Sequence, residues 1–255
     1  MRRAALTLAS LLAVSLIVPL RATALTINPD ALWKIVHGLC VPDEEQHHDP
    51  APCAEVDLAG GYAVLKDILG KTQYLVIPTA ETSGIESPSI IAPDAPNYFA
   101  DAWRARRFVD KELGHEVPRD MIVLAINSRF ARSQEQLHIH VDCIDPDVRA
   151  TLLQHEGEIG AHWAPFDPPL AGEHYRAMRI AGKELKANPF VLLADGVASA
   201  REAMGQHTLV VVGASFAGGA PGFILLDDQA DLAAGDRAHG ESVQDHSCAV
   251  ARPGG

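Results

Sequence analysis

The sequence predicts an α+β fold built on a mainly antiparallel sheet, and three observations carry that prediction. Apolar runs of strand length are interleaved with helical patterns but never settle into a regular βαβ rhythm, which argues against a doubly wound parallel sheet. Two pairs of such runs are joined by turn chemistry, D-I-L-G-K at 67–71 and A-S-F-A-G-G-A-P at 214–221. One run, Gln136–Cys143, alternates strictly between polar and apolar residues. With 255 residues, 47% of them hydrophobic, the chain can bury a sizeable core.

Taken in order, residues 29–39 have the pattern of a short amphipathic helix, followed by a polar, proline-rich stretch to residue 52. Tyr62–Lys66 and Gln73–Ile77 are β-rich runs forming a hairpin, and Pro78 ends the second because it has no N–H to donate. Residues 80–96, rich in Ser, Pro and Thr, form a long loop. Asn97 is a suitable N-cap for a helix running to Leu113, with Gly114 as its C-cap. Met121–Ile126 is a nearly continuous apolar strand, Gln136–Cys143 is the alternating one, and Pro146 opens another helix. Residues 161–173 (A-H-W-A-P-F-D-P-P-L-A-G-E) are the best candidate for a linker. Asn188–Gly205 is helical at least from Ala198, and Thr208–Val212 and Gly222–Leu226 are short strands of a second hairpin. The expected organisation is a targeting segment at 1–24, a catalytic region at 25–160, and a C-terminal α+β region at 161–255 packed on it.

The targeting segment has Arg2 and Arg3, then Ala4–Leu20 without a charge, then Ala22-Thr23-Ala24 in the small-x-small form of a signal-peptidase site. It fits a cleaved export signal or a single retained anchor, since it lies near the lower length limit for a membrane span. Either places the body outside the cytoplasm. The four cysteines agree: an even number in an oxidising compartment suggests two disulfides. Bridging Cys40 to Cys53 closes the short polar stretch, which leaves Cys143 with Cys248. The net charge of −12 argues against nucleic acid as a partner, because phosphate contacts need a basic surface.

The chemistry concentrates at Gln136–Cys143. Period-two alternation puts Gln136, His138, His140 and Asp142 on one face and Leu137, Ile139, Val141 and Cys143 on the other. A polar sheet face, a metal site using H-x-H, and a nucleophilic imidazole are all open on this spacing. Just upstream, A-I-N-S-R-F-A-R-S-Q-E at 125–135 supplies Asn127, Arg132 and Ser133, donors suited to phosphate oxygens. Donor loop and histidine face together favour phosphoryl chemistry.

Q-L-H-I-H-V resembles the histidine-triad motif, in which three histidines alternate with apolar residues, and T-Q-Y-L-V-I-P-T at 72–79 resembles that superfamily's strand ending in Ile-Pro. More narrowly, the chain resembles the bacterial CDP-diacylglycerol pyrophosphatases. The blocks that carry this are C-V-P-D (40–43), A-P-C-A-E-V (51–56), G-Y-A-V-L-K-D (61–67), G-I-E-S-P (84–88), A-I-N-S-R (125–129), H-I-H-V-D-C-I-D-P-D-V-R (138–149) and Q-D-H-S-C (244–248). The resemblance implies a HIT-like antiparallel sheet with flanking helices and hydrolysis of CDP-diacylglycerol, a lipid held at a membrane, to CMP and phosphatidate. It makes His138, the middle position, the nucleophile and His140 the third; Gln136 stands at the first position, where it can donate a hydrogen bond but cannot carry a proton. Gln136, Asn127, Arg132 and Ser133 are then expected to bind the phosphate oxygens, with Lys66 and Tyr74 as further candidates for nucleotide contacts. The scheme needs neither metal nor cofactor. It implies a body in the periplasm, with residues 1–24 anchoring it to the inner membrane or cleaved. Two alternatives remain open: transfer of CMP to an alcohol or cleavage of other nucleotide pyrophosphate substrates, and an exported non-catalytic protein whose histidines hold a metal or other ligand.

Overall fold

A computed structural model of the chain describes residues 28–252, so the signal or anchor expected at 1–24 lies outside the described residues. Nine strands form one sheet: β1 (Glu55–Asp57), β2 (Tyr62–Lys66), β3 (Tyr74–Pro78), β4 (Ile122–Ile126), β5 (Ile139–Cys143), β6 (Ala164–Pro165), β7 (Arg176–Ala181), β8 (His207–Phe216) and β9 (Ala220–Gln229). Their spatial order is β1-β2-β3-β5-β4-β8-β9-β7-β6, and every neighbouring pair is antiparallel. The architecture is therefore α+β on an antiparallel sheet. The junction between the earlier and later strands is β4 against β8, with Leu124 opposite Val211.

Helices cover both faces. On one face lie α3 (Tyr98–Ala105), α4 (Arg107–Leu113), α6 (Pro189–Gly196) and α7 (Ala200–Ala203). Phe99, Trp103, Phe108, Phe190 and Leu193 pack there against Val76, Leu124, Val141, Val211 and Phe223. The other face is divided. α1 (Ala31–Ile35), the π-helical turn Val36–Cys40 and α2 (Val41–His47) cover β2 and β3, burying Leu32 and Val36 against Leu65, Leu75 and Ile77. α5 (Pro146–His155) covers the far end, with Val148 and Leu152 against Val123, Val212 and Ile224. Between these two apolar clusters runs the polar side of β5.

Local chemistry explains most boundaries. Asn97 accepts from the Ala100 N–H at 3.2 Å, and Gly114, at φ 76°, closes α4 in the left-handed region. Asp145 accepts from the Asp147 and Val148 N–H groups ahead of Pro146. Asn188 accepts from Phe190 at 3.1 Å. The expected helix over 97–113 breaks at Arg106, and that over 188–205 breaks between Gly196 and Ala200. The polar stretch after residue 40 is helical to His47, because Pro42 fits a first turn and Asp43 and Glu44 favour its positive end. β8 and β9 are both longer than their apolar runs, since Gly218 and Gly219 at positive φ turn the hairpin within three residues. The segment 161–173 carries β6 and buries Phe166 and Leu170. β1, β6 and β7 had no sequence expectation; β7, R-A-M-R-I-A, alternates too weakly to stand out.

Both expected disulfides are present, Cys40–Cys53 and Cys143–Cys248. The second ties the C-terminal segment to the end of β5, where Asp245 N–H also donates to the Cys143 carbonyl at 2.9 Å. Among the described residues no helix is long and apolar enough to cross a membrane. The Cys143–Cys248 bridge spans a sequence separation of 105 residues. Cys248→Ala should therefore lower unfolding free energy by about 5 kcal/mol on chain-entropy grounds. Urea unfolding measures this, and a loss below about 1 kcal/mol would show that the bridge restricts the unfolded chain little.

Candidate active site

The polar face of β5 opens into a cleft of about 660 Å³ whose lining has two characters. One wall is apolar, made by Leu32 and Ile35 of α1 together with Leu65 and Leu75; Ile68 and Leu69 of the β2–β3 turn form its exposed lip. The other wall carries His138, His140, Asn127, His239, Glu241 and His246, with Ser133 on the rim. β-pairing fixes the floor: His140 lies between Leu75 of β3 and Ala125 of β4.

His138 Nδ1 donates to the Gln136 carbonyl at 2.6 Å. A carbonyl can only accept, so the proton is on Nδ1 and Nε2 keeps its lone pair. Burial pushes His138 below the ordinary imidazole value despite that bond, which keeps the ring neutral. His140 accepts at Nδ1 from the Gln73 amide at 2.6 Å, so its proton is on Nε2. The Gln73 amide nitrogen also faces carboxylate oxygens of Asp67 and Glu241, which fixes its orientation. Burial, opposed by Glu241, drives His140 down to about 3. Its Nε2 stands 3.1 Å from Glu241 Oε1 but makes no properly angled hydrogen bond, and so has a donor to spare.

Glu241 is held by Asn127, whose Nδ2 donates to Oε1 at 2.5 Å and whose Oδ1 accepts from the Glu241 N–H at 3.3 Å. Burial would raise this carboxyl; His239, His140 and Asn127 outweigh burial and hold it below the usual carboxylate range. Asp142, fully buried, accepts from Thr72 Oγ1 at 2.6 Å, and its other oxygen lies 2.8 Å from His246 Nδ1. The hydrogen bond that His246 donates to Asp142 raises His246 above the ordinary imidazole value, with burial opposing. The disulfide enforces the pair, because Cys143 follows Asp142 and Cys248 lies two residues after His246.

His138, His140, Asn127 and Ser133 are thus brought together, and Lys66 reaches the same cleft, its ammonium donating to the Asp67 and Gly70 carbonyls. Three other candidates are engaged elsewhere. The Gln136 amide donates to the Pro78 and Ala80 carbonyls and accepts from Thr82 N–H, so every polar atom of this buried side chain braces the loop after β3. Arg132 is clamped by Glu86 and Glu135, stapling the 84–88 segment to the donor loop. Tyr74 faces the opposite core, its hydroxyl on Glu112. Sequence reasoning missed Gln73, His239, Glu241 and His246 as site residues. Only His246 had a readable signal, standing in Q-D-H-S-C two residues before a bridging cysteine. Among the described residues, the imidazoles and carboxylates of the cleft do not bring three ligand atoms within 4.8 Å of one another.

The comparisons with known proteins point the same way. Residues 27–252 match the sequence model of the family described as CDP-diacylglycerol pyrophosphatase. A Yersinia pestis protein named CDP-diacylglycerol pyrophosphatase is 44% identical over 252 residues, which is 98% of this chain and 95% of that protein. With a match across nearly the whole chain, and a cleft in which a neutral, oriented imidazole faces a set of buried donors, the chain belongs to the CDP-diacylglycerol pyrophosphatase family.

Proposed function

We propose that the chain hydrolyses the diphosphate bond of CDP-diacylglycerol in two displacements at His138, releasing phosphatidate and then CMP. The observation that supports this most directly is the hydrogen bond from His138 Nδ1 to the Gln136 carbonyl, which leaves Nε2 unprotonated in a buried ring. Nε2 attacks the cytidine-side phosphorus, an N–P bond forms, and the P–O bond to phosphatidate breaks. Water then attacks the same phosphorus, releasing CMP and returning the lone pair to His138. One difficult displacement becomes two easier ones.

Positioning and electrostatics supply the rest, as in other phosphoryl transfers. The spare Nε2–H of His140 meets an equatorial oxygen of the transferring group. Ser133 is a second donor at the rim. Asn127 acts through Glu241, orienting the carboxylate that keeps His140 in place. His246, whose protonated form Asp142 favours, neutralises the departing phosphate. That leaving group has a second pKa near 6, so partial neutralisation suffices. Gln136 and Arg132 act one layer back, as braces. The apolar wall suits the glyceride end of the substrate. We also read the β3-β5-β4 region as HIT-like, on the strength of the Q-L-H-I-H-V motif. Residues 1–24 then serve as a cleaved export signal or an inner-membrane anchor holding the body in the periplasm, a reading supported by the two disulfides.

His138→Ala should lower CMP release roughly a thousandfold or more with the fold intact by circular dichroism. Rapid quenching of wild type with substrate labelled in the cytidine-side phosphate should trap label on His138. Substantial turnover by His138→Ala would rule out the nucleophile. His140→Ala should slow the reaction about a hundredfold, in line with the loss of one transition-state donor.

The pH profile of kcat/KM should be bell-shaped. The acid limb, from protonation of His138, should lie below the ordinary imidazole value of 6.5 because burial lowers that group. The alkaline limb, from deprotonation of His246, should lie above it because Asp142 raises that group. His246→Gln should flatten the alkaline limb alone; if the limb survives unchanged, His246 is not the group lost.

A further inference from the structure

Outside the cleft, on the sheet face that α5 covers, three carboxylates converge. Glu173 precedes β7, Asp228 lies near the end of β9, and Asp236 lies in the loop after it. One oxygen from each falls within 4.8 Å of the others. Two oxygens sharing one calcium ion at its usual bond lengths are at most about 5 Å apart, so the spacing suits a common ion. Asp228 is only 4% exposed, and its Oδ2 has no hydrogen-bond partner. The β7–β9 register pairs Arg176 with Asp227, which sets Tyr175 opposite Asp228. Tyr175 is 3% exposed, its hydroxyl meets Ser242, and these same three carboxylates are the charges acting on it. Among the described residues, no Lys or Arg is paired with any of the three; Arg176 is taken by Asp227.

Burial first, then Asp236 and Glu173, push Asp228 up to about 7. Three like-charged groups around a buried, unsatisfied oxygen are costly unless a counter-charge or a proton joins them. The donors are all oxygen, which excludes soft metals as preferred ligands. Calcium accepts varied oxygen sets, whereas magnesium demands near-ideal octahedra, so calcium is the expected preference. The position also has a consequence for the cleft. Asp236 stands three residues before His239 and five before Glu241, and its Oδ1 already accepts from Ala238 N–H at 2.7 Å.

We propose that Glu173, Asp228 and Asp236 form a site for a hard divalent cation, calcium by preference, which orders the loop that delivers His239 and Glu241 to the cleft. The ion sits apart from the reacting atoms and acts as a positioning group.

The full chain, stripped with chelator, should bind calcium at one site per chain by calorimetry, with a rise in thermal midpoint. Amide hydrogen exchange across 231–243 should slow when calcium is added. Asp228→Asn should weaken calcium binding about tenfold or more, and Glu173→Gln, a change at a half-buried turn, should do the same if the first variant folds poorly. Absence of both heat and midpoint shift with calcium and with magnesium would overturn the site. So would Asp228→Asn raising the midpoint of a protein indifferent to both ions, since a proton would then be the counter-charge. Binding without slower exchange at 231–243 would overturn the loop-ordering role.

Discussion

The structure turns on one strand with two incompatible faces. β5 is an interior strand, buried on both sides, and its alternation puts Ile139, Val141 and Cys143 into one core. The same alternation, continued upstream to His138, turns His138, His140 and Asp142 to the other face, where they are buried between two apolar clusters. Buried polar groups cost free energy unless each finds a partner. The opposite face of the sheet is consequently split into two apolar clusters, and the gap between them is the cleft.

Each polar residue of β5 then recruits help from a different part of the chain. Asp142 takes Thr72, and His246 from the C-terminal segment. His140 takes Gln73 from the start of β3, and Glu241 from the loop after β9. His138 takes the backbone carbonyl two residues before it. Partners so distant in sequence must be held by something other than local structure. The Cys143–Cys248 bridge holds one, and Asn127 holds another through two hydrogen bonds to Glu241. The fold around β5 is thus largely a means of satisfying it. His140 Nε2–H, 3.1 Å from Glu241 Oε1, is left without a properly angled hydrogen bond.

This also explains what could be read in advance. Period-two alternation identified the face of β5, and the caps Asn97, Gly114 and Pro146 marked helix ends, because those signals are local. The disulfide pairing followed from loop length and elimination. Arg132 and Gln136 were legible as polar donors near the histidines, but not their destinations, since Glu86 lies 46 residues from Arg132 and Pro78 lies 58 from Gln136. Glu241 sits in G-E-S-V, a short turn with no motif, so only the three-dimensional path of the loop shows it facing His140. β6 and β7 escaped notice for a related reason: as an outer pair they depend on β9 for partners rather than on their own patterning.

Gln136 shows why a departure from the triad-like pattern is compatible with the proposed chemistry. If the first position had to move a proton, glutamine would be disabling. Here the side chain turns away from the cleft and satisfies three backbone groups at Pro78, Ala80 and Thr82, work for which an amide with both donor and acceptor suits better than an imidazole. What His138, the proposed nucleophile, takes from residue 136 is its carbonyl, which any amino acid supplies. The amide serves that carbonyl indirectly: by fixing the loop after β3 against residue 136, it fixes the acceptor that selects the His138 tautomer. The demand at this position is therefore for hydrogen-bond geometry, and glutamine meets it without a titratable group.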